Sequence, residues 1–236
     1  MKKATFRFHA ELNRLFPERR REQDFPYTFE RDLTIKHGAE SLGVPHTEIG
    51  VVLVNGSPAG LSDLLQDGDR VDVYPHEPSA GGLDAARFVV DVNLGKLATY
   101  LRMLGFDVAY LLDADDDTLA RIAQQEDRIL LTRDRGLLKR KMVEKGYCVV
   151  IDRPAAQVRD VLDHFHLAGQ ARPFQRCLSC NGLLEPVSRD EVVDRLPTDT
   201  RRYFNEFWLC HSCGKIYWKG SHYERMRRFV RRVLND

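Results

Sequence analysis

Between residues 87 and 170, short apolar runs alternate with stretches of helical spacing. This alternation constrains the fold more than any other feature of the 236-residue chain. Phe88, Val89 and Val90 make a run suited to a buried strand, and Leu94, Leu97, Leu101 and Leu104 then recur at helical spacing up to a stop at Gly105. The rhythm continues as strand FDVAYLL, helix DDTLARIAQQE, strand RILLT, a helix around GLLKRKMVEK, strand YCVVI and helix AAQVRDVLDHFHL. A βαβαβαβα order predicts an α/β domain over 87–170, a parallel sheet with helices on both faces.

The acidic residues fall at matching points of that rhythm. Asp91 ends the first strand, Asp116 opens the helix after the second, and Asp134 follows the third by two residues. Strand carboxyl ends line one edge of an open parallel sheet, where ligands bind, so the fold predicts all three acids on one rim. Carboxylates ~5 Å apart at an effective dielectric of ~20 repel by roughly 3 kcal/mol per pair, which a divalent cation relieves. Oxygen donors of this kind suit Mg²⁺ or Mn²⁺. Each acid also has an ordinary reading. Asp116, like Asp115 or Asp117, is a possible helix N-cap, and Asp134 a possible turn residue. Asp91 is harder to explain away, because it terminates an apolar strand.

The 80 residues before this region read differently. ATFRFHA is an alternating strand, a second strand lies near Tyr27 to Phe29, and TIKHGAESLGV is a short helix ended by Gly43. IGVVLVNGSPAG carries an Asn-Gly turn, and LLQDGDRVDVYP a tight turn before an alternating strand. This α+β order resembles the ubiquitin-like β-grasp fold, and VLVNG with LLQDGDRVDVYP is similar to its sulfur-carrier branch. Those carriers end in a free Gly-Gly carboxylate. Here Gly81-Gly82 runs into Leu83, so Pro78 to Gly82 reads as a linker and few contacts are expected across it.

From residue 171 the rhythm stops and cysteines begin. CLSC and CHSC supply Cys177, Cys180, Cys210 and Cys213, two knuckles that point to one tetrahedral Zn²⁺ site with no open coordination position, hence a structural one. Twenty-nine residues separate the knuckles. Cys148 reads as a core residue. The net charge of +1 hides a gradient, from −3 over residues 1–80 to +5 over 171–236, which fits a polyanionic partner at the C-terminal end. Arg225, Arg228 and Arg232 share one face of a final helix. Trp208, Tyr217, Trp218 and Tyr223 are either ribbon core or surfaces on which bases stack. No run reaches the ~18 apolar residues of a membrane span. The N-terminus has Lys2 and Lys3 but no apolar stretch after them, so the cytoplasm is the expected compartment.

VVDVNLGKLATYLRMLGFDVAY, DDDTLARIAQQEDRILLTRDRGLL and the cysteine region with YWKGSHYERM together resemble the PIN-domain ribonucleases. The nearer branch is the one named after the C-terminal domain of the Mut-seven exoribonuclease. It joins a PIN domain to a zinc ribbon, some members adding a ubiquitin-like N-terminal domain. The resemblance implies a β-grasp domain over 1–80, a PIN-like nuclease domain over 87–170, and a zinc ribbon with a basic helix over 171–236. It implies RNA as substrate and Asp91, Asp116 and Asp134 as catalytic acids holding Mg²⁺ or Mn²⁺. Asp117 rivals Asp116, and Asp152 is a candidate fourth acid. Asn93 would position water or phosphate, while Lys139, Arg140, Lys141 and Arg228 would track the RNA backbone. Hydrolysis of this kind leaves a 5′-phosphate. The N-terminal domain suggests a protein partner. Two rivals stand beside this reading: a nucleic-acid-binding adaptor with a degenerate site, and a carrier fusion activated by cleavage at Gly82.

Overall fold

The computed structural model describes residues 1–76 and 86–235. The linker expected over Pro78 to Gly82 lies outside the described residues. These residues form two compact units. One takes the described part of 1–80 together with 113–150, the other the described part of 81–112 together with 151–236.

The first unit opens with a β-grasp sheet. Its elements are β1 (Lys2–Phe8), β2 (Asp24–Phe29), α1 (Ile35–Ser41), β3 (Ile49–Val54), β4 (Ser57–Ala59) and β5 (Arg70–Pro75). The sheet runs β2-β1-β5-β3-β4, with β1 and β5 parallel and the other pairings antiparallel. Alternation in β1 buries Ala4, Phe6 and Phe8, which meet Val71, Val73 and Leu65 in the core. Thr34 caps α1 by accepting from the His37 backbone N–H. A 3₁₀ turn over Ala10–Leu15 follows β1, where no element was expected, and it buries Leu12 and Leu15.

The second unit begins the α/β rhythm with β6 (Arg87–Val90), α2 (Gly95–Met103) and β7 (Asp107–Ala109), a parallel pair joined by a helix. The first unit continues it with α3 (Asp116–Gln125), β8 (Ile129–Thr132), α4 (Arg135–Leu138) and β9 (Gly146–Cys148), again a parallel pair. All four residues of β8 and all three of β9 are buried, as parallel strands covered on both faces should be. The helix expected around GLLKRKMVEK is cut to the single turn of α4. Lys139 to Lys145 is too polar to sustain an apolar stripe, and the chain bends to bury Val143 before entering β9.

The second unit resumes with α5 (Pro154–His164), which packs on α2, and then the cysteine region. This holds β10 (Leu184–Val187), α6 (Arg189–Val192), α7 (Thr198–Tyr203), β11 (Phe207–Cys210), β12 (Ile216–Trp218) and α8 (Ser221–Asn235). The three strands form an antiparallel sheet with β11 central. The long interval between the knuckles is occupied by α6 and α7, and it supplies Val192 and Leu196 to a small core around Phe207.

Candidate functional site

Asp91 follows β6 directly and is buried, only 7% exposed. Its carboxylate accepts from the Asn93 backbone N–H at 3.4 Å, capping a 3₁₀ turn over Val92–Leu94. The next turn is fixed from outside. The Tyr110 hydroxyl donates to the Val92 carbonyl at 3.0 Å, and a Cβ at residue 95 would stand 2.6 Å from that hydroxyl oxygen. Gly95 therefore lets Tyr110 hold the turn that carries Asp91. Asn93 itself is exposed.

Asp134 occupies the corresponding point after β8. Its N–H donates to the Thr132 hydroxyl at 2.9 Å, and its carboxylate accepts from the Gly136 N–H at 2.6 Å as the cap of α4. The cap reading and the ligand reading describe the same side chain, since a carboxylate has a second oxygen to offer. The α3 N-cap is Asp115, which accepts from the Thr118 N–H at 2.8 Å, so Asp116 and Asp117 are left in the first turn. Asp115 sits below the ordinary carboxylate range, chiefly through a hydrogen bond from the Thr118 side chain and next through that N–H. Arg140 pairs with both others, at 3.6 Å from Asp116 and in direct contact with Asp117. Asp91 belongs to one compact unit, Asp116 and Asp134 to the other. Asp152 is exposed just before α5, and its carbonyl accepts from Gln157.

The expected backbone-tracking residues separate. Lys141 and Arg228 are exposed. Arg140 is held by Asp116 and Asp117. The Lys139 ammonium donates to the Glu40 carbonyl at 2.5 Å and is thus engaged by the β-grasp domain.

That domain also meets β9, against the expectation of few contacts across the boundary. Glu48, 4% exposed, accepts from the Cys148 N–H at 2.6 Å and from Arg14 at 2.7 Å, while Arg14 donates to the Cys148 carbonyl at 3.0 Å. His46 lies 2.9 Å from the Val143 carbonyl, and Arg135 reaches the carbonyls of Gly43 and Leu15. The linker's composition said nothing of this, because the contacts come from the folded faces and not from the linker. Burial disfavours the Arg14 charge, but Glu48, Tyr147 and Cys148 together outweigh it and the guanidinium pKa is raised. Cys148 is a buried core thiol, pushed up by burial.

Among the described residues, one group converges as a metal-ligand set. The Sγ atoms of Cys177, Cys180, Cys210 and Cys213 all lie within 4.8 Å of one another. Two of the gaps are 3.6 Å (Cys177 to Cys213) and 3.4 Å (Cys180 to Cys210). Tetrahedral Zn–S bonds of ~2.3 Å give sulfur–sulfur edges of about 3.8 Å, and a disulfide needs about 2.05 Å, so the set fits a zinc ion and the thiols are free. Gly182 leaves the room: a Cβ there would stand 2.9 Å from Cys210 Sγ. Burial alone would raise the Cys177 thiol, but hydrogen bonds from the Tyr217 hydroxyl and the Cys180 and Ser179 N–H groups bring it down to about 6. The cluster is tied to β7 by Arg102, which donates to the carbonyls of Val108, Leu178 and Ser179, and by Asn181, which accepts from the Val108 N–H. Neither residue stood out in the sequence.

Residues 86–230 match the family described as the Mut7-C RNAse domain, and residues 1–80 match the family described as Mut7-C ubiquitin. A human protein, Exonuclease mut-7 homolog, is 38% identical over 103 residues, covering 41% of this chain. The matched stretch spans 12% of that relative's length. No solved structure matches. No helix among the described residues is long and apolar enough to cross a membrane.

Proposed function

Because the chain belongs to the Mut7-C RNAse domain family, we propose that it is a metal-dependent ribonuclease hydrolysing RNA phosphodiester bonds. Asp91, Asp116 and Asp134 are the acids that hold Mg²⁺ or Mn²⁺, in a PIN-like arrangement. The observation that carries this reading is the repeated position of Asp91 and Asp134. Each follows a parallel strand within two residues and caps the turn beyond it. Carboxylates held in this way offer hard oxygen donors from rigid backbone, which suits such a cation.

A bound Mg²⁺ or Mn²⁺ supplies Lewis acidity toward a phosphoryl oxygen and a nucleophile at neutral pH. The chain's own residues do the rest. Asp91, anchored by the turn that Tyr110 holds, is the most buried of the three acids. Asp116, now paired with Arg140, would be a ligand of the cation. Arg140, Lys141 and Arg228 would hold RNA phosphates, and Asn93 would orient water or phosphate beside Asp91. Lys139 serves the β-grasp contact instead. The Cys₄ set holds a structural Zn²⁺. A protein partner of the β-grasp domain, and the cytoplasm as compartment, belong to the same proposal.

The test is incubation of end-labelled RNA and DNA with Mn²⁺ and with EDTA, beside Asp91→Asn and Asp134→Asn. Cleavage of RNA that leaves 5′-phosphates, needs Mn²⁺ and disappears in both variants is the expected result. Undiminished cleavage by both variants would sink the assignment. The pairing of Arg140 with Asp116 and Asp117 favours a second reading, an adaptor that binds RNA with its acids neutralised by arginine. Tight binding without cleavage under every divalent metal would select it.

A further inference from the structure

The zinc-ribbon sheet has two unlike faces. β11 sends Phe207 to one side, into the closed core with Val192 and Leu196, and Trp208 to the other, opposite Tyr217 of β12. On that second side lies a cavity of about 290 Å³ lined by Phe174, Trp208, Tyr217, Trp218, Tyr223 and Lys219, among others. None of its five aromatic rings is fully buried, and each keeps part of its surface open to solvent. Trp218 also packs against the core of Val192, Leu196 and Phe207, while Phe174, Trp208, Tyr217 and Tyr223 lie outside that core.

The rings are also held in place. The Tyr217 hydroxyl accepts from the Leu178 N–H at 3.1 Å and contacts Cys177 Sγ at 3.1 Å, tying that wall to the metal knuckle. Phe174 packs on Tyr223 with centroids 4.8 Å apart. Its backbone has φ +65°, a left-handed conformation that a bulky residue rarely adopts and that tends to mark working sites. Lys219 Nζ stands 5.1 Å from the Trp208 ring centroid and is paired with Glu206. Beyond the cavity, α8 turns Tyr223, Met226, Val230 and Val233 inward, while Arg225, Arg228, Arg231 and Arg232 are exposed, with Glu224 as the helix's one acid.

We infer that this cavity is a subsite for an unstacked base of single-stranded RNA whose phosphates continue along the arginine face of α8. Flat, rigid rings stack any base without regard to sequence, and an adjoining row of arginines supplies the sequence-independent backbone affinity. This deepens the ribonuclease reading and rests on it for the identity of the polymer. Binding through the ribbon would hold a substrate strand independently of the acids.

Both tryptophans of the chain line the cavity, so intrinsic emission reports on it directly. The experiment titrates the full, zinc-loaded chain, with no Mg²⁺ or Mn²⁺ added, using a short mixed-sequence RNA and an abasic oligonucleotide of equal length. RNA should quench the emission and the abasic strand should not. By anisotropy of labelled RNA, Trp208→Ala and Tyr223→Ala should each weaken binding about tenfold, the size of one lost base stack. Zinc content and the slope of affinity against salt should be unchanged. Arg228→Ala should instead lower that slope. Equal binding of the abasic strand, or less than a twofold loss in both aromatic variants, would overturn the subsite, as would an acidic peptide binding in place of RNA. Cleavage plays no part in these readings. Binding failure with cleavage intact removes the subsite alone, and the reverse removes the catalytic assignment alone.

Discussion

The two ends of the chain solve one problem by different chemistry. Each compact unit contains a parallel pair of strands whose outer backbone groups need partners. In the first, the N–H and carbonyl of Cys148 in β9 meet Glu48 and Arg14 of the β-grasp domain. In the second, the N–H and carbonyl of Val108 in β7 meet Asn181, from the zinc knuckle, and Arg102 of α2, which also grips the knuckle's carbonyls. An open strand edge invites pairing with another chain, and both edges are closed by side chains from or tied to an appended module. The difference lies in what holds the closing residue. Glu48 and Arg14 stand on a domain with its own core and compensate one another's buried charge. Asn181 stands on a loop with φ +72° that the cysteines order. One closure rests on paired side chains, and the other is built beside a four-cysteine set that can hold a metal ion.

Removing zinc should break the comparison most. Structural zinc contributes roughly 10–16 kcal/mol of apparent folding energy in small zinc domains. Stripping the metal, or Cys180→Ser, should unfold the ribbon and expose the Val108 amide to hydrogen exchange, while the Cys148 amide stays protected. Equal exposure of both would mean the modules are not independent.

Glu48→Ala should reverse the pattern. Breaking a buried ion pair by removing one partner costs about 3–5 kcal/mol, here because the Arg14 guanidinium is left buried without its carboxylate and the Cys148 N–H without an acceptor. Denaturant unfolding should show that loss with zinc content unchanged. A chain beginning at Leu83 removes the whole closure, so it should be destabilised at least as much and prone to associate through β9. A monomeric truncation of full stability, read by light scattering and melting, would restore the linker view.

Asn181→Ala tests the other edge more gently. One unsatisfied backbone N–H costs about 1–3 kcal/mol, and the change should appear as faster exchange at Val108 with the four thiolates still metal-bound. Arg140→Ala is the smallest case. Its pairs with Asp116 and Asp117 are substantially exposed, worth about 0–1 kcal/mol, so melting should hardly move. What should change is the affinity for Mn²⁺, which rises if Asp116 is a ligand and stays put if it is not.

Much of this was legible without coordinates, because it is local. Alternation revealed the strand around Phe6, continuous apolar runs those around Val89 and Leu131, and helical spacing the helices of Leu97 and Leu119, since burial is a short-range pattern. Two C-x-x-C knuckles announced their own convergence, since that spacing is the usual one for four thiolates around a single zinc ion. The rank order of the three neighbouring acids was not legible. Asp115, Asp116 and Asp117 are chemically alike, and only the turn geometry made Asp115 the cap. The length of α4 was missed for a related reason, because a run of lysines is compatible with a helix until tertiary packing pulls Val143 into the core.

Everything that closes the edges was beyond reach of pattern. Arg14 and Cys148 are 134 residues apart, Glu48 and Cys148 100, Arg102 and Ser179 77. A charged residue buried to satisfy a distant carbonyl has no periodicity and reads as surface in the sequence. Local pattern thus carried most of the strands and helices, the cysteine set and the family. Which polar side chains close each strand edge was set by the folded chain, since a hydrogen bond between distant residues exists only once both backbones are fixed.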